Sequence, residues 1–499
     1  MYYLSTRNSA VRVLSSQAIA TGISEDGGLF IPEKIPELTL EEIGSLGKMS
    51  YRERAFLVLS KFLTDFSEDE IYYCVDGAYS SGSFDTENIM ELVRLGEQGY
   101  MLELWHGPTC AFKDMALQIL PYLLTSSVKK LGVDKKVVIL VATSGDTGKA
   151  ALEGFKDVPG TSIMVFYPAE GVSSMQKLQM TTQDGENVFV CAIEGNFDDA
   201  QTGVKKIFVD RSVGEILSEN GMMFSSANSI NWGRLVPQII YYVSSYAELV
   251  KRGDISLGER INICVPTGNF GNILAAYYAK RMGVPVNKLI CASNSNNVLT
   301  DFINTGVYDR NRQFYTTISP SMDILISSNL ERLIYILSGM NDEYVKELYA
   351  SLSKTGRFEV SDEIKSLLKA EFDCGFCSDR ETMMAIRSVY EKHSYTMDTH
   401  TAVAQRVYED YLKRTGDRTK TVIASTASPY KFSSSVLKAL GKNVEGLDEF
   451  GLTCELESAC GMPVPKALSE LRSKSVRFSG SIQKEDMEKA VLGFLGINK

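Results

Sequence analysis

The chain has 499 residues, of which 44% are hydrophobic and 23% charged, and 52 basic against 62 acidic side chains leave a formal net charge of −10. This composition excludes a disordered, collagen-like or repeat-array chain, and the acidic balance argues against nucleic acid as a partner, because that affinity needs clustered Lys and Arg to displace counterions. No run of 18 apolar residues is present, so no membrane partner is expected.

At roughly 150 residues per domain, the length implies about three folding units. The N-terminus, MYYLSTRNSAVRVLSS, lacks an apolar core of the signal-peptide kind and reads as mature soluble protein. Nine scattered cysteines, an odd number, read as reduced core thiols of a cytoplasmic protein.

Residues 1–100 read as an N-terminal α-rich cap. A turn-rich opening with Gly27-Gly28, Pro32 and Pro36 leads to amphipathic stretches near 49–64 and 84–97. Residues 101–250 read as a first α/β module. Within it LWHGPTCAFKDMALQ (104–118) places a turn at Gly107-Pro108 and then Lys113 at the start of a helix-like run. Most lysines are solvated surface residues. Lys113 is flanked by Ala111, Phe112, Met115 and Ala116, and an apolar setting lowers an amine's pKa, as Schiff-base chemistry requires, which makes it one candidate among many.

The run VVILVA (137–142) is short, continuous and rich in β-branched residues, the pattern of a buried strand. SIMVFYP (162–168), NVFVCAI (187–193) and MMFSSANS (222–229) repeat it, with helix-like segments at 172–183 and 198–218 between. This alternation predicts βαβ units and a parallel sheet. The loop TSGDTGKA (143–150) lacks the spacing of a P-loop. It is a Ser/Thr/Gly-rich strand end able to donate to a carboxylate or phosphate, a composition that plain loops share.

After the polar stretch KRGDISLGER (251–260), residues 251–499 read as a second α/β module, with strands in INICVPTGNFGN (261–272), KLICASNSN (288–296) and TVIASTAS (421–428) and a mostly helical span over 327–415. PTGNFGNI (266–273) follows a strand and opens a helix. Its glycines and asparagines let successive N–H groups face one anion, and they equally suit an ordinary strand-to-helix turn. TSGDTG, PTGNFGN and STASPYKF all end strands, and in such sheets ligands bind at the carboxyl ends, so the three loops suggest one composite site.

CGFC (374–377) has no second ligand pair at zinc spacing and reads as a structural or incidental pair. Only three histidines are present, His106, His393 and His400, too few for a His-rich metal site, and His400 stands at a predicted helix start. No metal is expected.

Together these segments resemble the threonine synthase family, pyridoxal-phosphate (PLP) enzymes of fold type II. HGPTCAFKD is similar to the family's PLP-lysine motif, and TSGDTG and GNFGN are similar to its substrate and phosphate loops. GISEDGGLFIPEKIP (22–36), EGNFDDAQ (194–201), SSANSINWGR (225–234), SPSMDILISSNLER (319–332), MDTHTAV (397–403) and STASPYKF (425–432) extend the likeness over nearly the whole chain. The resemblance implies an α/β fold of two parallel-sheet modules with an N-terminal cap, and PLP as cofactor.

Carried over residue by residue, the resemblance makes Lys113 the Schiff-base lysine. Gly268, Asn269, Phe270, Gly271 and Asn272 become the cradle of the PLP phosphate, Thr426 the partner of the pyridine nitrogen, and Asp146 a neighbour of the 3′ oxygen. It assigns Thr143, Ser144 and Thr147 to the substrate carboxylate and phosphate, and Asn228, Ser229 and Arg234 to the substrate phosphate. Three positions depart from the family pattern: Cys110 stands where an aliphatic residue is common, Ser428 where a His is frequent, and Thr399 where a Pro is common.

The implied reaction converts the small molecule O-phospho-L-homoserine and water into L-threonine and phosphate, by γ-elimination and β-addition of water, in a monomer or homodimer. The freed Lys113 amine would remove the α-proton. Two rivals stand beside it: a fold-type II lyase giving 2-oxobutyrate, or a serine/threonine dehydratase. The dehydratase needs no phosphate clamp, which Arg234 with Asn228 and Ser229 would form. A non-catalytic binding homologue would be expected to lack Lys113.

Overall fold

The computed structural model describes residues 1–80, 82–143, 145–170 and 172–497. Two sheets carry the architecture. Five parallel strands form the first, in the order Ser481–Gln483, Val188–Glu194, Thr161–Pro168, Lys136–Ala142 and Met222–Ser225. Thr161–Pro168 is buried along its whole length, as a strand covered on both faces must be.

The second sheet has six strands, in the order Phe372–Phe376, Val286–Ser293, Ile261–Pro266, Thr421–Ser425, Gly99–Glu103 and Glu91–Leu95. The first five run parallel and the last is antiparallel. Neither sheet follows chain order. Strands from 91–103 join the second sheet, and the near-terminal strand Ser481–Gln483 closes one edge of the first.

The helix Trp232–Lys251 is buried on almost every residue and packs against Gly271–Arg281 and Tyr51–Phe62. Trp232 at its start meets Tyr3, Phe62 and Tyr278 with ring centroids 5.3, 5.6 and 5.5 Å away. Aromatic pairs of this geometry add about 0.5–1.5 kcal/mol each beyond area burial. They fasten the N-terminal region to the molecule's centre.

Most elements expected from the sequence are present, including the strands at 137–142 and 162–168 and the helices of 327–415. Three readings change. The stretch near 84–97 is not a helix: Glu91–Leu95 forms a hairpin with Gly99–Glu103, and Gly96 at φ 69° turns the chain back. The turn-rich opening holds a three-stranded antiparallel sheet of Tyr3–Ser5, Asn8–Val13 and Phe30–Pro32. The helix Glu68–Tyr79, absent from the sequence reading, starts at a reciprocal capping box between Ser67 and Glu70.

Among the described residues, no helix is long and apolar enough to cross a membrane, and no group of His, Cys, Asp and Glu could hold a metal ion.

Candidate active site

Lys113 sits just beyond the strand Gly99–Glu103, on a turn organised by Asp114. The Asp114 carboxylate accepts from the Thr109 N–H at 2.8 Å and the Thr109 hydroxyl at 2.7 Å. Burial pushes Asp114 up to about 6 against these bonds. Cys110 takes a left-handed φ of 58° in the same turn. The turn is laced to the loop after Thr421–Ser425: Phe112 N–H donates to the Thr426 carbonyl at 2.8 Å, Ser428 N–H donates to the Cys110 carbonyl at 3.0 Å, and Ala111 bridges Ala427. Lys113 and Thr426 are therefore held in one frame.

The Lys113 side chain is 11% exposed, donates to Ser321 Oγ at 3.3 Å, and lies 3.8 Å from Asp146 Oδ2. Burial lowers the amine to about 8; Asp146 pulls the other way, while Arg234 and Lys431 add to the fall. Asp146 opens the helix Asp146–Phe155. Its Oδ1 takes Lys431 Nζ at 2.7 Å and Gln176 Nε2 at 2.8 Å. Burial opposes its ionisation, but Lys431 and Lys113 hold the carboxyl well below the usual range. Gly145 before it adopts φ 147°, and a Cβ there would come within 2.5 Å of the Gln176 amide.

The remaining residues of this loop differ in what they offer. The Thr143 hydroxyl accepts from Gly145 N–H at 2.9 Å and Gly148 N–H at 3.0 Å, so it builds the turn. Thr147 lies half-buried in the first helical turn. Ser144 lies outside the described residues.

The glycine loop joins Ile261–Pro266 to the helix Gly271–Arg281. Phe270 takes the left-handed conformation at φ 63°, which turns the chain into the helix. At Gly268 a Cβ would fall 2.8 Å from the Ser321 carbonyl, so only glycine fits without displacement. Ser327 Oγ donates to the Gly268 carbonyl at 2.9 Å, and Asn329 N–H donates to the Asn269 carbonyl at 3.1 Å. The carbonyls are thus tied back, while the first N–H groups of the helix have no intrahelical acceptor. Asn272 Oδ1 accepts from the hydroxyls of Tyr241 and Tyr242, and its Nδ2 is buried with no partner among the described residues.

Arg234 lies in the first turn of Trp232–Lys251, behind the Asn231 cap. It is buried and donates to the Ala227 carbonyl at 2.7 Å, and burial lowers it to about 10. Among the described residues no carboxylate pairs with it. Asn228 is half-buried, with its N–H on Ser226 Oγ at 3.2 Å. Ser229 Oγ is 3.5 Å from Ser328 Oγ, and its Cβ lies 3.7 Å from where a Gly271 Cβ would stand. The structure thus gathers the three predicted loops around Lys113 and brings Ser229 up against the glycine loop.

Three of the residues that shape this site carried no role in the sequence reading: Lys431, Gln176 and Ser321. Lys431 stands between Tyr430 and Phe432, and that apolar flanking would have made it a candidate beside Lys113. His400 is buried against Asp398 Oδ1 at 2.9 Å and accepts the Ser321 N–H at 3.1 Å through Nε2. His106 lies between Asp85 and Glu103, at 2.6 and 3.0 Å. Cys374 and Cys377 are free thiols with separate neighbours, the Thr300 carbonyl and the Thr382 hydroxyl.

A phosphate-sized anion fits this site on three grounds: an orphaned buried amide at Asn272, an open helix start behind a glycine that tolerates no Cβ, and a buried amine poised near neutrality. These features on two parallel-sheet modules define a PLP-dependent enzyme of fold type II. Three family models cover the chain: Threonine synthase N terminus over residues 2–79, Pyridoxal-phosphate dependent enzyme over 92–426, and Threonine synthase, C-terminal over 401–491. The chain belongs to the threonine synthase family.

Threonine synthase of Pseudomonas aeruginosa is 38% identical over 88% of this chain and 90% of its own. Human Threonine synthase-like 1 is 41% identical over 85% of this chain, which spans 58% of that protein's length. The PLP-bound crystal structure of Threonine synthase from Brucella melitensis superposes with a TM-score of 0.87 at 35% identity, covering 99% of each chain.

Proposed function

We propose that this protein converts O-phospho-L-homoserine and water into L-threonine and inorganic phosphate. The observation that carries the reading is the charge balance of the site: three cations, Lys113, Lys431 and Arg234, stand against two carboxylates, Asp146, which the two lysines hold ionised, and Asp114, which burial pushes toward its neutral form. Buried cations are costly unless paired, so the surplus suits a ligand bearing phosphate. Beside it, the amide cradle at Gly271 suits a second phosphate without using any charged side chain.

In this reading Lys113 would hold PLP, Gly268, Asn269, Phe270, Gly271 and Asn272 would take the cofactor phosphate, Thr426 would partner the ring nitrogen, and Asp146 would partner the 3′ oxygen. Bound PLP supplies an electron sink for negative charge developing beside the substrate's amino group. Lys113, neutral at modestly alkaline pH, takes the α-proton at Nζ. Arg234, with Asn228 and Ser229, grips the leaving phosphate, which a planar guanidinium suits. Thr147 would hold the substrate carboxylate, and Thr143 shapes the turn before it. We place the reaction in the cytoplasm, a reading supported by nine free thiols.

The test supplies O-phospho-L-homoserine to the PLP-loaded protein and follows phosphate and threonine together. Equal release of both is expected. Phosphate with 2-oxobutyrate would instead make the protein a phospho-lyase, and keto acid from serine or threonine without phosphate would make it a dehydratase.

A further inference from the structure

Lys431 is a wholly buried ammonium that takes no direct part in the steps above. It lies on the turn after Thr421–Ser425, far in sequence from its two partners, Asp146 Oδ1 at 2.7 Å and the Thr109 carbonyl at 2.9 Å. We propose that Lys431 is a positioning residue: it pins one oxygen of Asp146 so that only the other faces Lys113, which keeps that carboxylate from trapping the Lys113 proton. The inference rests on Lys113 as the cofactor lysine and deepens that reading.

The geometry is asymmetric in the required sense. Both strong donors to Asp146, Lys431 Nζ and Gln176 Nε2 at 2.8 Å, take the same oxygen, and Lys113 approaches the other oxygen only to 3.8 Å. A direct ion pair between Lys113 and Asp146 would hold the amine protonated and unreactive. With Lys431 satisfying the carboxylate, Asp146 stays ionised while its pull on Lys113 is divided. Lys431 also faces Lys113 as a like charge, with Arg234, and these two oppose the charged form of the amine. The other charged group acting on Lys113 is Asp114, which favours its protonation; Ser321 offers a hydroxyl, and His400 reaches only the Ser321 backbone.

The site is bought at a cost that packing alone does not explain. A buried lysine held only for shape could be a methionine of similar length, without the desolvation of an ammonium.

The test measures Lys113 acetylation by acetic anhydride across pH in the cofactor-free full-length chain, read by peptide mass spectrometry. Lys431→Met should lower the labelling of Lys113 at pH 8 about tenfold, because Asp146 is released toward Lys113 and a repelling charge is gone. Lys431→Arg, which keeps the charge, should stay within about twofold of wild type. Asp146→Asn should move the opposite way and raise labelling, since the amine loses its nearest anion.

General damage to the fold would move Lys431→Met and Asp146→Asn in the same direction, and that outcome overturns the proposal. So does unchanged or increased labelling in Lys431→Met. Should Lys431→Met not fold, the other two variants decide: a tenfold loss in Lys431→Arg, or no gain in Asp146→Asn, removes the role. A chain that makes no threonine leaves these labelling results standing, so the two readings fail separately.

Discussion

In the proposed reading, the two halves of the site hold anions by different physics. Around Lys113 the tools are buried side-chain charges, supplied by segments at 113, 146, 234 and 431. Around Gly268–Asn272 the tools are backbone N–H groups and one unpaired amide, supplied by a single loop and braced by Ser321, Ser327 and Asn329. Charge placed by distant segments can tune reactivity, since each partner adds or removes a fraction of a proton's stability. A backbone cradle has no such adjustment, because its N–H groups do not titrate in the ordinary pH range. The proposed function accordingly places chemistry on the first half and anchorage on the second.

Perturbing each half should expose this difference. The largest effect is expected from Lys113→Ala, which removes the amine. Steady-state turnover should fall by at least about a thousandfold, while PLP remains bound without a covalent link, as dialysis and absorbance would show. Wild-type threonine production by this variant would break the assignment of Lys113.

Next is Arg234→Met, which keeps the packing stem and deletes the guanidinium. The KM for O-phospho-L-homoserine should rise about 10- to 100-fold, the range for a lost charge-assisted contact, with PLP retained. Loss of the cofactor instead would move Arg234 to the anchoring half.

Gly268→Ala addresses the cradle directly. Its methyl would meet the Ser321 carbonyl at 2.8 Å, and relieving that overlap costs about 1–3 kcal/mol. The expected outcome is weaker PLP binding by fluorescence titration, with the reactivity of Lys113 toward acetic anhydride unchanged. A change in that reactivity would show that the halves are coupled.

The smallest effect concerns pH. With its amine near about 8 rather than the ordinary 10.5, Lys113 in the cofactor-free chain is mostly protonated at pH 7 and mostly neutral at pH 9. The rate of PLP capture should therefore climb about tenfold over that interval and then level off. A rate that keeps climbing toward pH 10.5 would mean that the site fails to shift its lysine.

The same division governed what could be read from the residues alone. The glycine loop was legible because its signal is local: a β-branched run, then glycines and asparagines, then a helix. The apolar flanks of Lys113 left it one candidate among many, and only the resemblance of HGPTCAFKD to the family motif singled it out. Lys431 and Gln176 were not, because their meaning depends on meeting Asp146 across the fold. Thr143 was expected to contact substrate, whereas its hydroxyl is occupied by the N–H groups of Gly145 and Gly148. Among the elements, long apolar strands were clear. The hairpin at 91–103 was not, since ENIMELVRL also fits a helical period and only its pairing with Gly99–Glu103 selects the strand.

The lacing of Gly99–Glu103 to Thr421–Ser425 also has a temporal side. During synthesis the first of these strands leaves the ribosome long before its neighbour exists, on the order of tens of seconds at 5–20 residues per second. The first sheet likewise waits for Ser481–Gln483, close to the end of the chain, to cover its edge. Each nascent molecule therefore carries open strand edges for most of its own translation, the form in which chains associate wrongly. Slowing the ribosome in the second half of the message should lower the soluble yield of this protein more than slowing it in the first hundred codons, before either sheet has begun to form.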